Sequence, residues 1–92
     1  MITVKLLASL RKLAGDRELT VPLKPGGTVS DLLQAIGEVY PGIRAKVVDE
    51  DGELTGTVQV LLNGRNVLWL DGLDTIIDPE QTITLIPPVA GG

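Results

Sequence analysis

Apolar and polar residues alternate along several stretches of the chain and recur at helical spacing along one. Ile2, Val4, Leu6 and Ala8 fall on one face of the opening stretch, with Thr3, Lys5 and Leu7 on the other, the period-two pattern of a half-buried strand. The alternation breaks between Ser9 and Gly15, where Leu10, Leu13 and Ala14 are spaced for one helical turn. Glu18 to Leu23 alternates again and is predicted to pair with the first strand as a hairpin. Pro22 assigns that second strand to a sheet edge, because proline cannot donate to a ladder. Val29, Leu32, Leu33, Ile36 and Tyr40 then form a single apolar stripe at i, i+3, i+4, i+7 and i+11, with Asp31, Gln34 and Glu38 opposite. Thr28 reads as the N-cap of this main helix and Asp31 as its reciprocal partner in a capping box, and Pro41-Gly42 is the expected stop. Ile43 to Val48 fits either a short second helix or an extended continuation.

The second half is read as strands joined by turns. Asp49-Glu50-Asp51-Gly52-Glu53 is an acidic turn without the ligand spacing of a calcium loop. Thr57 to Leu62 alternates with Val58, Val60 and Leu62 inward, and Asn63-Gly64 is a hairpin signal leading into a strand at Val67-Leu68-Trp69. Gly72 to Ile77 is expected as a loop, and Asp78-Pro79-Glu80-Gln81 as a turn into a closing strand, Thr82 to Ile86. On that strand Ile83 and Leu85 are expected to face the helix, leaving Thr82, Thr84 and Ile86 outward. The order strand, strand, helix, strand, strand, strand predicts an α+β fold: a mixed sheet of about five strands with one main helix across one face. Pairing the first and last strands as parallel central neighbours gives the β-grasp arrangement, which connection rules permit without forcing. A split βαβ layout would want a second long helix. The expected division is a β-grasp domain over 1–86 and a flexible tail over 87–92.

Composition narrows the chemistry. The chain has 92 residues, enough for one core, and is 43% apolar with no Phe, so the interior is expected to be aliphatic, with Tyr40 and Trp69 the only aromatics. Neither Cys nor His occurs, which removes the thiol nucleophile, the commonest general base and the commonest metal ligand. No metal site and no cofactor-binding residues are expected. A net charge of −4 with scattered basic residues argues against nucleic acid and anionic membrane as partners and for a basic protein surface. No apolar run approaches the roughly 20 residues of a membrane span, and no signal peptide is recognisable, so a cytoplasmic domain is expected.

What remains is the tail. Pro87-Pro88 should end the closing strand and project the chain in an extended form. Val89-Ala90 are small and Gly91-Gly92 lack side chains, so such a tip can thread a narrow cleft and present a terminal carboxylate to another protein's active site.

Both ends resemble one family. Met1-Ile2-Thr3-Val4 through Leu10-Arg11-Lys12-Leu13-Ala14-Gly15 is similar to the opening of molybdopterin synthase small subunits, the MoaD group of the MoaD/ThiS ubiquitin-like sulfur carriers. Asp78-Pro79-Glu80-Gln81-Thr82-Ile83 stands at the family's acidic turn, and Pro87-Pro88-Val89-Ala90-Gly91-Gly92 resembles its tail. Pro79 replaces the usual Gly, Leu7 and Ile86 replace usual phenylalanines, and the segment from Ile43 to Gly56 is longer than in the shortest members.

The resemblance implies a co-substrate more than a catalyst, with no independent activity. A MoeB-like adenylyltransferase would use ATP to activate the Gly92 carboxylate, and a sulfur donor would convert it to a thiocarboxylate. The tail, Pro87 to Gly91, would insert into the MoaE-like large subunit of molybdopterin synthase, where sulfur passes to a pterin precursor of the molybdenum cofactor. The alternatives are a ubiquitin-like protein modifier, a carrier for thiamin or tRNA thiolation using the same Gly-Gly, and an interaction module with an inert tail. Leu7 and Ile86 are expected to finish side by side at the tail's exit as part of a partner interface, unless the loop from Leu10 to Gly15, or Trp69, folds over them.

Overall fold

The computed structural model describes residues 1–88. Five strands form one sheet: β1 (Ile2–Leu6), β2 (Glu18–Val21), β3 (Gln59–Leu62), β4 (Arg65–Asn66) and β5 (Ile83–Ile86), in the order β2-β1-β5-β3-β4. Strand β1 pairs with β5 in parallel, and the β1–β2, β3–β5 and β3–β4 pairs are antiparallel. The chain's first and last strands are thus adjacent near the middle of the sheet, and the second strand lies at an edge as expected, although it ends at Val21, one residue before Pro22.

Helix α2 (Val29–Val39) crosses one face. Its stripe, Val29, Leu32, Leu33 and Ile36, is buried together with Ile2, Val4, Leu6, Val60, Leu62, Ile83 and Leu85. The N-terminal N–H groups of a helix need outside partners. Here the Thr28 hydroxyl accepts from the Asp31 N–H, and the Asp31 carboxylate accepts from the Thr28 N–H. The Val29 N–H donates to the Thr75 carbonyl. That last bond belongs to a short antiparallel bridge between Thr28 and Ile76, which ties the loop of residues 72–77 to the start of the helix. A 3-10 turn, Gly72–Asp74, leads into it, and the buried Thr75 hydroxyl accepts from the Asp71 N–H.

The sheet and the main helix follow the expected pattern, with two short helices in addition. The Ser9–Ala14 segment is a helix, α1, that buries Leu10 and ends on left-handed Gly15. Ile43 to Val48 resolves to helix: α3 (Pro41–Val47) starts at Pro41 itself. Proline lacks the N–H that α2 would have needed next, and the same lack costs nothing in the first turn of a new helix. Tyr40, the last position of the expected stripe, lies between the two helices, half-buried. The expected strand at Val67–Trp69 is a 3-10 turn instead, and β4 is confined to Arg65–Asn66. Asn66 Oδ1 accepts from the Leu68 N–H and bends the chain off the ladder.

Asn63 (φ 51°) and Gly64 (φ 82°) make the tight turn their sequence signalled. Asn63 also reaches β5: its N–H donates to the Thr82 carbonyl and its Oδ1 accepts from the Thr82 N–H. In the acidic turn, Asp49 Oδ1 accepts from the Asp51 and Glu53 N–H groups, so this carboxylate is used to close the turn. Among the described residues no group of acidic side chains is placed to hold a metal.

Two stability predictions follow from this packing. Leu32 is fully buried, so Leu32→Ala should cost about 2–5 kcal/mol in chemical denaturation, from lost transfer energy and the cavity left behind. Ala8 sits at φ 51°, ψ −127°, a backbone region that favours glycine, and its side chain is exposed. Ala8→Gly should therefore raise stability by roughly 0.5–2 kcal/mol, with relief of strain outweighing the added chain entropy. Thermal unfolding of the pair of variants checks both signs.

Candidate functional site

The site is built where β1 and β5 end. Their register pairs Val4 with Ile83, Lys5 with Thr84 and Leu6 with Leu85, and the Leu7 N–H donates to the Leu85 carbonyl at 3.3 Å. The next pair in the same register is Leu7 and Ile86. Leu6 and Leu85 are buried under the helices, and Leu7 and Ile86 are each half-buried on the opposite face. Neither of the alternative covers lies over them. Helix α1 packs against α3, on the helical side, and sends Leu10 into the core. Trp69 is 86% exposed.

The outward row continues across the sheet. Ile86 is paired with Gln59 and Thr84 with Leu61 on β3, and Leu61 with Asn66 on β4. Leu61, half-buried, is an aliphatic residue at an outward position, which the alternation of Val58, Val60 and Leu62 already implied. Beyond β3, Gln59, Leu61, Gly64, Arg65, Asn66, Trp69 and Leu70 line one open concavity. The exposure of Trp69 had no signal in the sequence, because a lone tryptophan after a hairpin turn fits a satellite core equally well. On the β1 side, Arg11 Nε donates to the Leu6 carbonyl at 2.7 Å, which anchors a guanidinium at the end of β1.

Pro87 is buried and Pro88 exposed, so the chain reaches the surface at Pro88. Val89, Ala90, Gly91 and Gly92 lie outside the described residues. No helix among the described residues is long and apolar enough to cross a membrane.

A helix packed on one face of a five-stranded mixed sheet, with the first and last strands parallel and adjacent, defines a ubiquitin-like β-grasp protein. Residues 4–92 match the ThiS family, and the chain belongs to that family of ubiquitin-like sulfur carriers. It is 34% identical over 91 residues to small archaeal modifier protein 3 of Haloferax volcanii, covering 99% of this chain and 98% of the relative. Among solved structures it resembles a chain of the BexX/CysO complex of Amycolatopsis orientalis, with a TM-score of 0.84, 28% identity and 100% of both chains covered. It also resembles a candidate molybdopterin converting factor subunit 1 of Pyrococcus furiosus, with a TM-score of 0.74, 29% identity and 96% and 97% of the two chains covered.

Leu7 and Ile86 contribute to the surface more than to the core. Leu7→Asp and Ile86→Asp should therefore each cost roughly 1 kcal/mol of stability, well below Leu32→Ala, when unfolding midpoints are compared.

Proposed function

We propose that this protein carries sulfur on its C-terminus, as a thiocarboxylate at Gly92, and that the acceptor is the pterin precursor bound by a MoaE-like large subunit of molybdopterin synthase. The observation that supports this reading is the pairing of β1 with β5. It brings an apolar pair, Leu7 and Ile86, beside the point where the chain surfaces at Pro88, four residues before Gly92. Four residues span at most about 14 Å fully extended. An enzyme that handles the Gly92 carboxylate must therefore bring its own surface against this end of the sheet, where Leu7 and Ile86 are available for burial.

The chemistry needs no side chain from this protein. A carboxylate oxygen of Gly92 attacks the α-phosphorus of ATP in a MoeB-like adenylyltransferase, giving an acyl-adenylate and releasing pyrophosphate. The terminal sulfur of a persulfide donor then attacks the acyl carbon, and AMP leaves. A second thiol cleaves the resulting acyl disulfide, leaving the thiocarboxylate on Gly92 and a disulfide on the donor side. ATP is bound by the partner, as are the base and the donors that stabilise the oxyanion.

A second reading has its own support. The 34% identity to a small archaeal modifier protein favours transfer of the activated Gly92 carbonyl to a lysine amine, forming an isopeptide bond. Both fates share the adenylation step and diverge only at the nucleophile.

Incubation with the cognate adenylyltransferase, ATP and a persulfide donor should increase the intact mass by the replacement of one oxygen with sulfur. An unchanged mass with an enzyme competent on another carrier would sink the sulfur-carrier reading. Gly-Gly remnants on cellular lysines would favour the modifier fate, and conversion of the pterin precursor by the loaded chain plus the large subunit would favour the synthase. Leu7→Asp and Ile86→Asp should weaken binding to the large subunit by about 1–3 kcal/mol in calorimetric titration, through lost apolar burial and charge desolvation.

A further inference from the structure

The geometry points to a second contact with the enzyme that activates Gly92: Trp69 inserts into an apolar socket on that enzyme, with acidic side chains around it to meet Arg65. This rests on the carrier reading and names the part of the surface that recognises the adenylating partner. The chain has a single Trp and no Phe, and its Tyr40 is half-buried, yet the Trp is 86% exposed. A side chain with that much apolar area gains nothing by standing in water, and tryptophan is enriched among the residues that dominate binding energy.

Its position is continuous with the tail's exit. Strand β3 is antiparallel to both β4 and β5, so β4 runs in the direction of β5, and the 3-10 turn carrying Trp69 continues toward the same end of the sheet. Gln59 links the two regions: it pairs with Ile86 and lines the concavity shared with Trp69. From Leu7 through Ile86 and Gln59 to the Trp69 turn is about three inter-strand spacings, roughly 15 Å. That lies within the footprint of a standard interface of about 800 Å² per partner. The length of chain beyond Pro88 already forces the enzyme onto this end, so a contact of ordinary size reaches Trp69. Charge defines the socket. The chain carries 12 acidic and 8 basic residues; the concavity beside Trp69 is lined by Arg65 and by no acidic residue, while Asp71 and Asp74 line the adjoining one that Arg65 also borders.

The test uses the full chain labelled with 5-fluorotryptophan, whose one tryptophan gives one ¹⁹F resonance, titrated with the cognate adenylyltransferase. The resonance should shift or broaden to saturation. In the AMP-forming assay Trp69→Ala should raise KM for the carrier at least tenfold, with kcat within twofold and the unfolding midpoint unchanged. Trp69→Phe should recover most of the loss. A resonance unmoved at saturation, or a KM for Trp69→Ala within twofold of wild type, overturns the inference and leaves the carrier reading standing. Failure of the wild-type chain to be adenylated overturns both.

Discussion

The parallel pairing of β1 with β5 is the contact on which the remaining geometry depends. Parallel neighbours cannot be joined by a tight turn, so everything between them must form the crossover, and α2 supplies its principal body. Because in-register residues share a face, one choice of register settles two surfaces together. Val4, Leu6, Ile83 and Leu85 go beneath the helix, and Leu7 and Ile86 go to the far side at the end where the chain departs. A slip by one residue would exchange those sets, burying Thr84 and exposing Leu85. The Asn63 side chain, bonded to the Thr82 N–H just before β5 begins, is a local restraint against such a slip.

The faces of the sheet divide the work. Stability resides on the helical side, in an almost wholly aliphatic core, and the proposed recognition surface lies on the other, where aliphatic and basic residues are mixed with threonines. Under the proposed carrier function this separation is what is needed, since the reacting atom would belong to the main chain. The body would then need only to fold and be gripped, with no ionisable side chain to tune.

Much of this was legible in the sequence, for identifiable reasons. Thr28 and Asp31 announce α2 because both halves of the capping box are local, and the strand faces follow from strict alternation. Pro22 ends β2 rather than sitting in it, so the edge position was anticipated correctly but the proline acts as a stop. Pro41 was harder, since the same missing N–H that ends one helix is harmless at the first position of another. The shortness of β4 was hidden too: Asn66 could have continued the ladder, and it instead caps the following turn with its own side chain. Trp69 was illegible for a further reason. Exposure depends on what arrives from elsewhere in the chain to cover a residue, and periodicity carries no record of that.

The interior place of β5 has a consequence for how the molecule is made. The strand that joins the β1–β2 hairpin to the β3–β4 hairpin is the last of the five to be synthesised. Until it emerges from the ribosome, both hairpins have an open side, and α2 has no complete sheet to cover. Two-stranded ribbons are marginal in water, so the nascent chain cannot settle in stages. The sheet closes only once β5 is available, so its long-range pairings form late. A chain interrupted before β5 would lack Ile86 as well as the tail, and so both parts on which the proposed function rests.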